Sequence, residues 1–349
     1  MINVGVIGCG KIAQVRHLPE YEAHPSVRIV GVCDAQKSRA EEVAGKYHAR
    51  VYASYEEMLD DKDIDAVSVC TANYSHCQIT LKALEAGKHV LCEKPMAVTY
   101  EECKKMVETA RRTGKFLMIG HNQRLTNTHR RAKELVEKGE IGKVLTFKST
   151  FGHAGPESWA VDKNNIWFFD KAAASFGAMA DLGVHKTDLI QFLLSDKIKE
   201  AFAVTGTLDK KDKQGNSIGV DDNAICIYKL ESGIIGNVNV SWSYYGEEDN
   251  STTLYGTEGC MKIYADPDHS IVIEKRNGER IFYTIDRIQT NGQQDNSGVI
   301  DYWISCLERG TAPDISGEEA FEAMKAVFAA LESARTGRKV SVDELEVSI

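Results

Sequence analysis

Apolar residues fall in two different rhythms along the chain. Up to about residue 122, short runs rich in β-branched residues alternate with amphipathic stretches of helical spacing, the pattern of βα units and hence of a parallel sheet. The runs predict strands at 3–7, 28–33, 66–70, 89–92 and 116–119, and a short sixth near 50–52 would complete a doubly wound sheet. Several helices announce their starts and ends. Ser54 with Glu57 and Thr99 with Glu102 have capping-box spacing, while Gly87 and Gly114 stand where left-handed terminal residues are expected.

Beyond residue 122 the rhythm changes. A basic helix over 127–138 and an apolar one over 179–194 precede long alternating strands, among them 224–230 and 234–242, joined through Ser232 and Gly233 as a hairpin. Helical spacing returns at 298–308 and 318–334, which predicts a tail that packs back on the body. The expectation is an α/β chain with a doubly wound parallel sheet over 1–122. An α+β domain with a large, mainly antiparallel open sheet follows over 123–349. A length of 349 residues agrees, because one core rarely organises so long a chain.

Composition narrows the function class. Apolar residues make up 43% and charged residues 27%, and no stretch approaches the roughly 18 apolar residues of a membrane span. With no basic and apolar leader before the first strand, a cytoplasmic protein is expected. Nine cysteines (Cys9, Cys33, Cys70, Cys77, Cys92, Cys103, Cys226, Cys260 and Cys306) form no C-x-x-C pair and no metal-ligand cadence, so reduced, mostly buried thiols and no metal are expected. A net charge of -9 gives no basic field for phosphate backbones, which argues against nucleic acid.

Candidate chemistry begins at the first strand. Gly8, Gly10, Lys11, Ile12 and Ala13 belong to a G-x-G-x-x-A turn between a strand and a helix, where pyrophosphate can approach the backbone. Asp34 closes the second strand where a ribose-binding acid is expected, which makes this a Rossmann dinucleotide-binding domain. A carboxylate there accepts from a ribose 2′-OH and repels a 2′-phosphate, so NAD is favoured over NADP. Lys37 and Arg39 soften that repulsion, although a solvated helix face is the simpler expectation for both.

The run TANYSH at 71–76, GKHV at 87–90, Glu93-Lys94-Pro95 and GAMADLGVH at 177–185 resemble the Gfo/Idh/MocA family, the glucose-fructose oxidoreductase and inositol dehydrogenase group. The resemblance runs from the first strand to Gly337, with Gly177-Ala178 where members often have two glycines. It implies oxidation or reduction of a carbinol on a sugar, inositol or related ring by hydride transfer. Lys94 and His185 would then be catalytic, and Asp181 orienting or substrate-binding. It also implies that Thr71, Asn73 and His76 border the nicotinamide end of the cofactor, and that pairing through the open sheet gives a homodimer or homotetramer.

The residues support that chemistry independently. Asp181 and His185, four apart on an apparent helix, project from one face. An imidazole titrating near neutrality suits removal of a hydroxyl proton, and an ammonium at the sheet's C-terminal rim, Lys94, can stabilise an alkoxide. Glu93 precedes that lysine. Gln123 and Arg124 open the second domain within reach of cofactor or substrate. His153, Trp159 and Trp167 lie in a long connection at 152–174, their aromatic rings either stacking on a sugar face or anchoring the loop. The expected ligand is a small-molecule sugar, cyclitol or glycoside. Two rivals use the same site: a redox-neutral glycosidase working through a keto-sugar, and a non-catalytic NAD-binding sensor.

Overall fold

The structure, a computed structural model, describes residues 1–162, 166–288 and 297–346. Its first sheet is wholly parallel: β1 (Ile2–Ile7), β2 (Val27–Cys33), β3 (Arg50–Val51), β4 (Ala66–Val69), β5 (His89–Cys92) and β6 (Leu117–Ile119), in the order β3-β2-β1-β4-β5-β6. The strand order turns back between β1 and β4, the place where open α/β sheets bind ligands at their C-terminal rim. Both expected caps, Ser54 and Thr99, act as such. Ser54 Oγ accepts from the Glu57 amide and Thr99 Oγ1 from the Glu102 amide, each at 3.2 Å, while the two glutamates reach one residue further back, to the amides of Ala53 and Val98.

Alternation places the sheet's side chains in two cores. Ile7, Val67, Val69, Val90 and Cys92 pack with the helices His76–Glu85 and Tyr100–Thr113, continuous with the interior of the second domain. Val4, Val6, Val32, Leu91 and Met118 form the other core, and its cover comes partly from far along the chain. The helix Val299–Arg309 contributes Val299, Ile300, Trp303 and Ile304 to it, so the returning tail completes the first sheet's interior.

The second sheet contains β7 (Val144–Gly152), β8 (Ile198–Gly206), β9 (Asn223–Leu230), β10 (Ile235–Ser241), β11 (Thr252–Gly256), β12 (Gly259–Ile263), β13 (Ile271–Lys275), β14 (Arg280–Tyr283) and β15 (Val340–Ser341). Their order is β14-β13-β12-β11-β7-β10-β9-β8-β15, antiparallel throughout except for the central β7–β10 pair. Strand β9 shows the logic of its faces. Ala224, Cys226, Tyr228 and Leu230 point inward, toward the helices Val184–Leu194 and Gly317–Thr336, while Ile225 and Ile227 point outward. With Val204 and Ile235 these form an exposed apolar face. Among the described residues no helix is long and apolar enough to cross a membrane.

Two helices that serve the ligand-binding rim contain π-helical turns. Ala13–His17 continues into the α-helix Leu18–Ala23, and Met179–Gly183 continues into Val184–Leu194. A π turn inserts a residue into the helical register and is often found at functional sites. The single helix expected over 179–194 is thus a π turn followed by an α-helix.

Candidate active site

A cavity of about 1110 Å³ runs along the C-terminal rim of the first sheet and under the second domain. Its floor is the glycine turn. Gly8 has φ of 91°, and a Cβ there would stand 2.6 Å from the Cys70 carbonyl oxygen, so only glycine lets the turn lie against the end of β4. Asp34, at the end of β2, accepts from the Cys9 amide at 2.7 Å and the Gln36 amide at 2.8 Å, fixing its carboxylate beside the turn. The close backbone approach, the helix start and the anchored acid fit a dinucleotide: Gly8, Gly10, Lys11 and Ile12 would take its pyrophosphate and Asp34 its ribose.

Arg39 is not part of a solvated helix face. Its Nη1 lies 3.3 Å from Asp34 Oδ1 and it lines the cavity, whereas Lys37 is exposed and pairs with Glu41. The acid and a cation therefore stand together where a ribose would lie.

Lys94, Asp181 and His185 converge at the inner end. Lys94 follows β5, and its peptide bond to Pro95 is cis. Its Nζ donates to Asp181 Oδ1 and to the Asp181 carbonyl oxygen, each at 2.9 Å. Trp242 Nε1 donates to Asp181 Oδ2 at 3.1 Å, and His153 Nε2 lies 3.9 Å from the same oxygen. The turn that presents Asp181 is itself held: Asp221 accepts from the amides of Gly177 and Met179, both at 2.8 Å. A side chain at 177 would collide with the Asp221 carbonyl oxygen, which explains glycine at that position.

Electrostatics separate the roles. Burial alone would raise the Asp181 carboxyl, but Lys94 and His153 outweigh it and hold it below the usual carboxylate range. His185 is driven well below an ordinary imidazole, first by burial and then by the Lys94 charge, so it is neutral at pH 7. Its ring lies edge-on to His121, centroids 6.3 Å apart, and 6.0 Å from Phe151. Its Nδ1 is buried with no hydrogen-bond partner among the described residues.

Glu93 is built in from behind. Its Oε1 meets His17 Nε2 at 2.9 Å and Arg16 at 3.8 Å, and His17 Nδ1 meets Ser68 Oγ at 3.0 Å, itself bonded to Tyr21. Burial would raise this carboxyl, yet His17 and Arg16 hold it at about 2. Sequence reasoning missed Arg16, His17 and Trp242. The first two sit on the π-helical turn, where polar residues facing the sheet break the apolar rhythm, the one signal available.

Of the expected cofactor residues, Gly8, Gly10, Lys11, Ile12, Asp34, Thr71, Asn73, Glu93, Lys94 and Gln123 line the cavity. Ala13 and His76 do not. Ala13 is fully buried against the first sheet, where its small side chain permits close helix packing. His76 turns away and spans the Pro95 and Thr71 carbonyl oxygens at 2.8 and 3.0 Å, bracing two rim loops.

Of the expected substrate residues, Lys94, His153, Trp159, Trp167, Asp181 and His185 line the cavity, and Arg124 does not. Its guanidinium forms a buried bidentate pair with Asp188 at 2.7 and 2.6 Å, a charge held inside by its partner. Lys11 Nζ lies 5.9 Å from the Trp159 ring centroid, which puts that ring over the glycine turn, and Trp167 stacks on Phe168. Residues 163–165 of the expected long connection lie outside the described residues.

Comparisons with known proteins match both domains of the chain. Residues 2–121 match an oxidoreductase family with an NAD-binding Rossmann fold, and residues 129–262 match the GFO/IDH/MocA C-terminal domain. The chain is 24% identical to myo-inositol 2-dehydrogenase of Thermotoga maritima, over 99% of each. It is 30% identical to levoglucosan dehydrogenase of Pseudarthrobacter phenanthrenivorans, over 74% of this chain and 73% of that one. An oxidoreductase from Agrobacterium radiobacter, crystallised with NAD+, L-tartaric acid and magnesium, has the same fold, with a TM-score of 0.85 over 99% of each chain at 22% identity. Two domain matches in order, together with these relatives, place the chain in the Gfo/Idh/MocA family of NAD-binding oxidoreductases.

Proposed function

We propose that the protein reversibly oxidises a secondary hydroxyl of a sugar, cyclitol or glycoside, with NAD as the hydride acceptor. The observation that supports this best is the meeting of the Lys94–Asp181 pair with His185 in the cavity that begins at the glycine turn. NAD, when bound, supplies the site that takes the carbinol hydrogen with its electron pair. The chain supplies the rest. His185, held neutral, is free to accept the hydroxyl proton. Lys94 stabilises the developing alkoxide, and Asp181, gripped by Trp242, aims the ammonium.

NAD is the preferred cofactor in this reading, because Asp34 disfavours a 2′-phosphate, with Arg39 reducing the margin. A homodimer or homotetramer is supported by the outward apolar residues of β8, β9 and β10, a surface that a second copy would cover. Nine unpaired thiols suit a reducing, cytoplasmic setting.

The test is a panel of inositols, free sugars, polyols and glycosides assayed for NADH formation. Net NADH from a neutral ring supports the proposal. Release of sugar from a glycoside without net NADH would replace it with a redox-neutral glycosidase, and NAD binding with no turnover on any compound would leave a sensor.

A further inference from the structure

The inner end of the cavity has a second polar wall, which neither the Lys94–Asp181 pair nor His185 uses. Gln123 comes from the turn after β6, while Glu248 and Asn250 come from the connection between β10 and β11, and all three line the same cavity as His185. The Gln123 amide nitrogen donates to Asn250 Oδ1 at 3.2 Å, which fixes the orientation of the amide. Its Oε1 is left buried with no partner among the described residues, on a side chain only 5% exposed. Glu248 Oε1 is also buried without a partner among the described residues, on a half-buried side chain whose carboxyl also meets the Asn250 side chain.

Buried acceptors without donors are costly, so two of them on one cavity wall mark a place for a ligand that brings O–H or N–H groups. The wall is also stiff. Lys186, fully buried, donates to the Asn250 carbonyl oxygen at 3.0 Å and packs over the Phe151 ring. Burial raises the Glu248 carboxyl to about 7, opposed by Lys186, and burial lowers the Lys186 ammonium to about 7. The carboxyl therefore keeps acceptor capacity in both of its protonation states near neutrality.

We propose that Gln123 Oε1 and Glu248 Oε1 form a hydroxyl-reading subsite that accepts from ring hydroxyls flanking the oxidised carbinol. The subsite selects neutral polyhydroxy rings against rings with a phosphate or carboxylate on that edge. Acceptors reward O–H donors, whereas an anionic group would face the ionised form of the Glu248 carboxyl. The inference rests on the proposed dehydrogenase reading and adds what chooses the substrate.

The experiment compares wild type, Glu248→Ala and the shape-conserving Glu248→Gln on myo-inositol, D-glucose, methyl β-D-glucoside, their monodeoxy analogues and D-glucose 6-phosphate. Wild type should lose roughly 10- to 100-fold in kcat/KM when one flanking hydroxyl is removed, the worth of a hydrogen bond to a charged group. In Glu248→Ala that single penalty should collapse while the penalties at other positions persist, and Glu248→Gln should relax rejection of the phosphorylated sugar. Unchanged deoxy penalties at every position in Glu248→Ala overturn the subsite and leave the dehydrogenase standing. If wild type makes NADH from none of these compounds, the dehydrogenase reading fails. The subsite is then judged by calorimetry of myo-inositol and D-glucose on the NAD complex: weaker binding in Glu248→Ala supports it, and equal or absent binding ends it.

Discussion

Lys94 Nζ sits 2.9 Å from both a side-chain and a main-chain oxygen of Asp181, so a residue of the first sheet's rim is clamped to a helix of the second domain. The clamp sets the direction of the ammonium, and it predicts different results for its two ends. Lys94→Ala should lower kcat by roughly 10² or more, the scale of losing one oriented electrostatic group. Asp181→Asn keeps the shape and the Trp242 bond, and should lower kcat less than Lys94→Ala. Steady-state kinetics on the best substrate checks this order, and the reverse would assign Asp181 direct contact with the substrate.

His185→Ala should reduce turnover by roughly 10² to 10⁴, the usual contribution of a positioned general base, with NAD affinity little changed. Because burial and Lys94 hold the imidazole far below its ordinary value of 6.5, the base form persists into acid. The acid limb of the kcat/KM profile should therefore lie below pH 6.5, activity falling only as pH drops through the depressed value. A limb at or above 6.5 that vanishes in His185→Ala would contradict the buried geometry.

Asp34 and Arg39 make opposite demands on a ribose substituent. Asp34→Ser removes the carboxylate and leaves the guanidinium, so NADP should gain on NAD by roughly tenfold in Kd ratio. Titration of both cofactors by fluorescence measures the ratio. Arg39→Ala should move it the other way, since the acid then acts alone.

Glu93 predicts an acid-dependent stability. Its carboxyl titrates at about 2 in the fold against an ordinary 4.5, so its contribution is complete above about pH 4.5 and is lost as pH falls toward 2. Glu93→Gln strips His17 of a buried partner and should cost roughly 3 kcal/mol at neutral pH. Urea melts of both proteins at pH 7 and in acid should converge as the wild-type carboxylate is protonated.

The outward face of β9 predicts assembly. Ile225→Glu with Ile227→Glu puts charge on residues 59% and 47% exposed, so the fold should survive while the proposed pairing fails. Light scattering should report a multiple of 38.7 kDa for wild type and that mass alone for the variant. A monomeric wild type at micromolar concentration removes the oligomer.

Much of this layout was legible because its signals are local. Gly8, Gly10 and Asp34 are tied by a strand-turn-helix-strand spacing, and Asp181 and His185 by one turn of helix, so each could be placed before any tertiary contact was known. Arg124 was misplaced for the opposite reason. An arginine just after a rim strand looks like a ligand contact, and only the fold brings Asp188 and Glu319 to it. Ile225 and Ile227 alternate with Cys226 and Tyr228, all apolar, so the β9 pattern marks a strand without saying which side is covered. Glu248 and Asn250 belong to the acidic run EEDN at 247–250, which reads as a solvated loop until β10 and β11 fold it over the cavity.

The helix Val299–Arg309 has a consequence for how the protein is made. One side of the first sheet stays without Trp303 and its neighbours until residues that follow eight of the second sheet's nine strands have left the ribosome. The dinucleotide-binding domain, although translated first, cannot finish its core until that helix has emerged. Truncation after residue 122 would leave Val6, Leu91 and Met118 lacking part of their cover, a surface for chaperones or aggregation rather than an independent nucleotide-binding module.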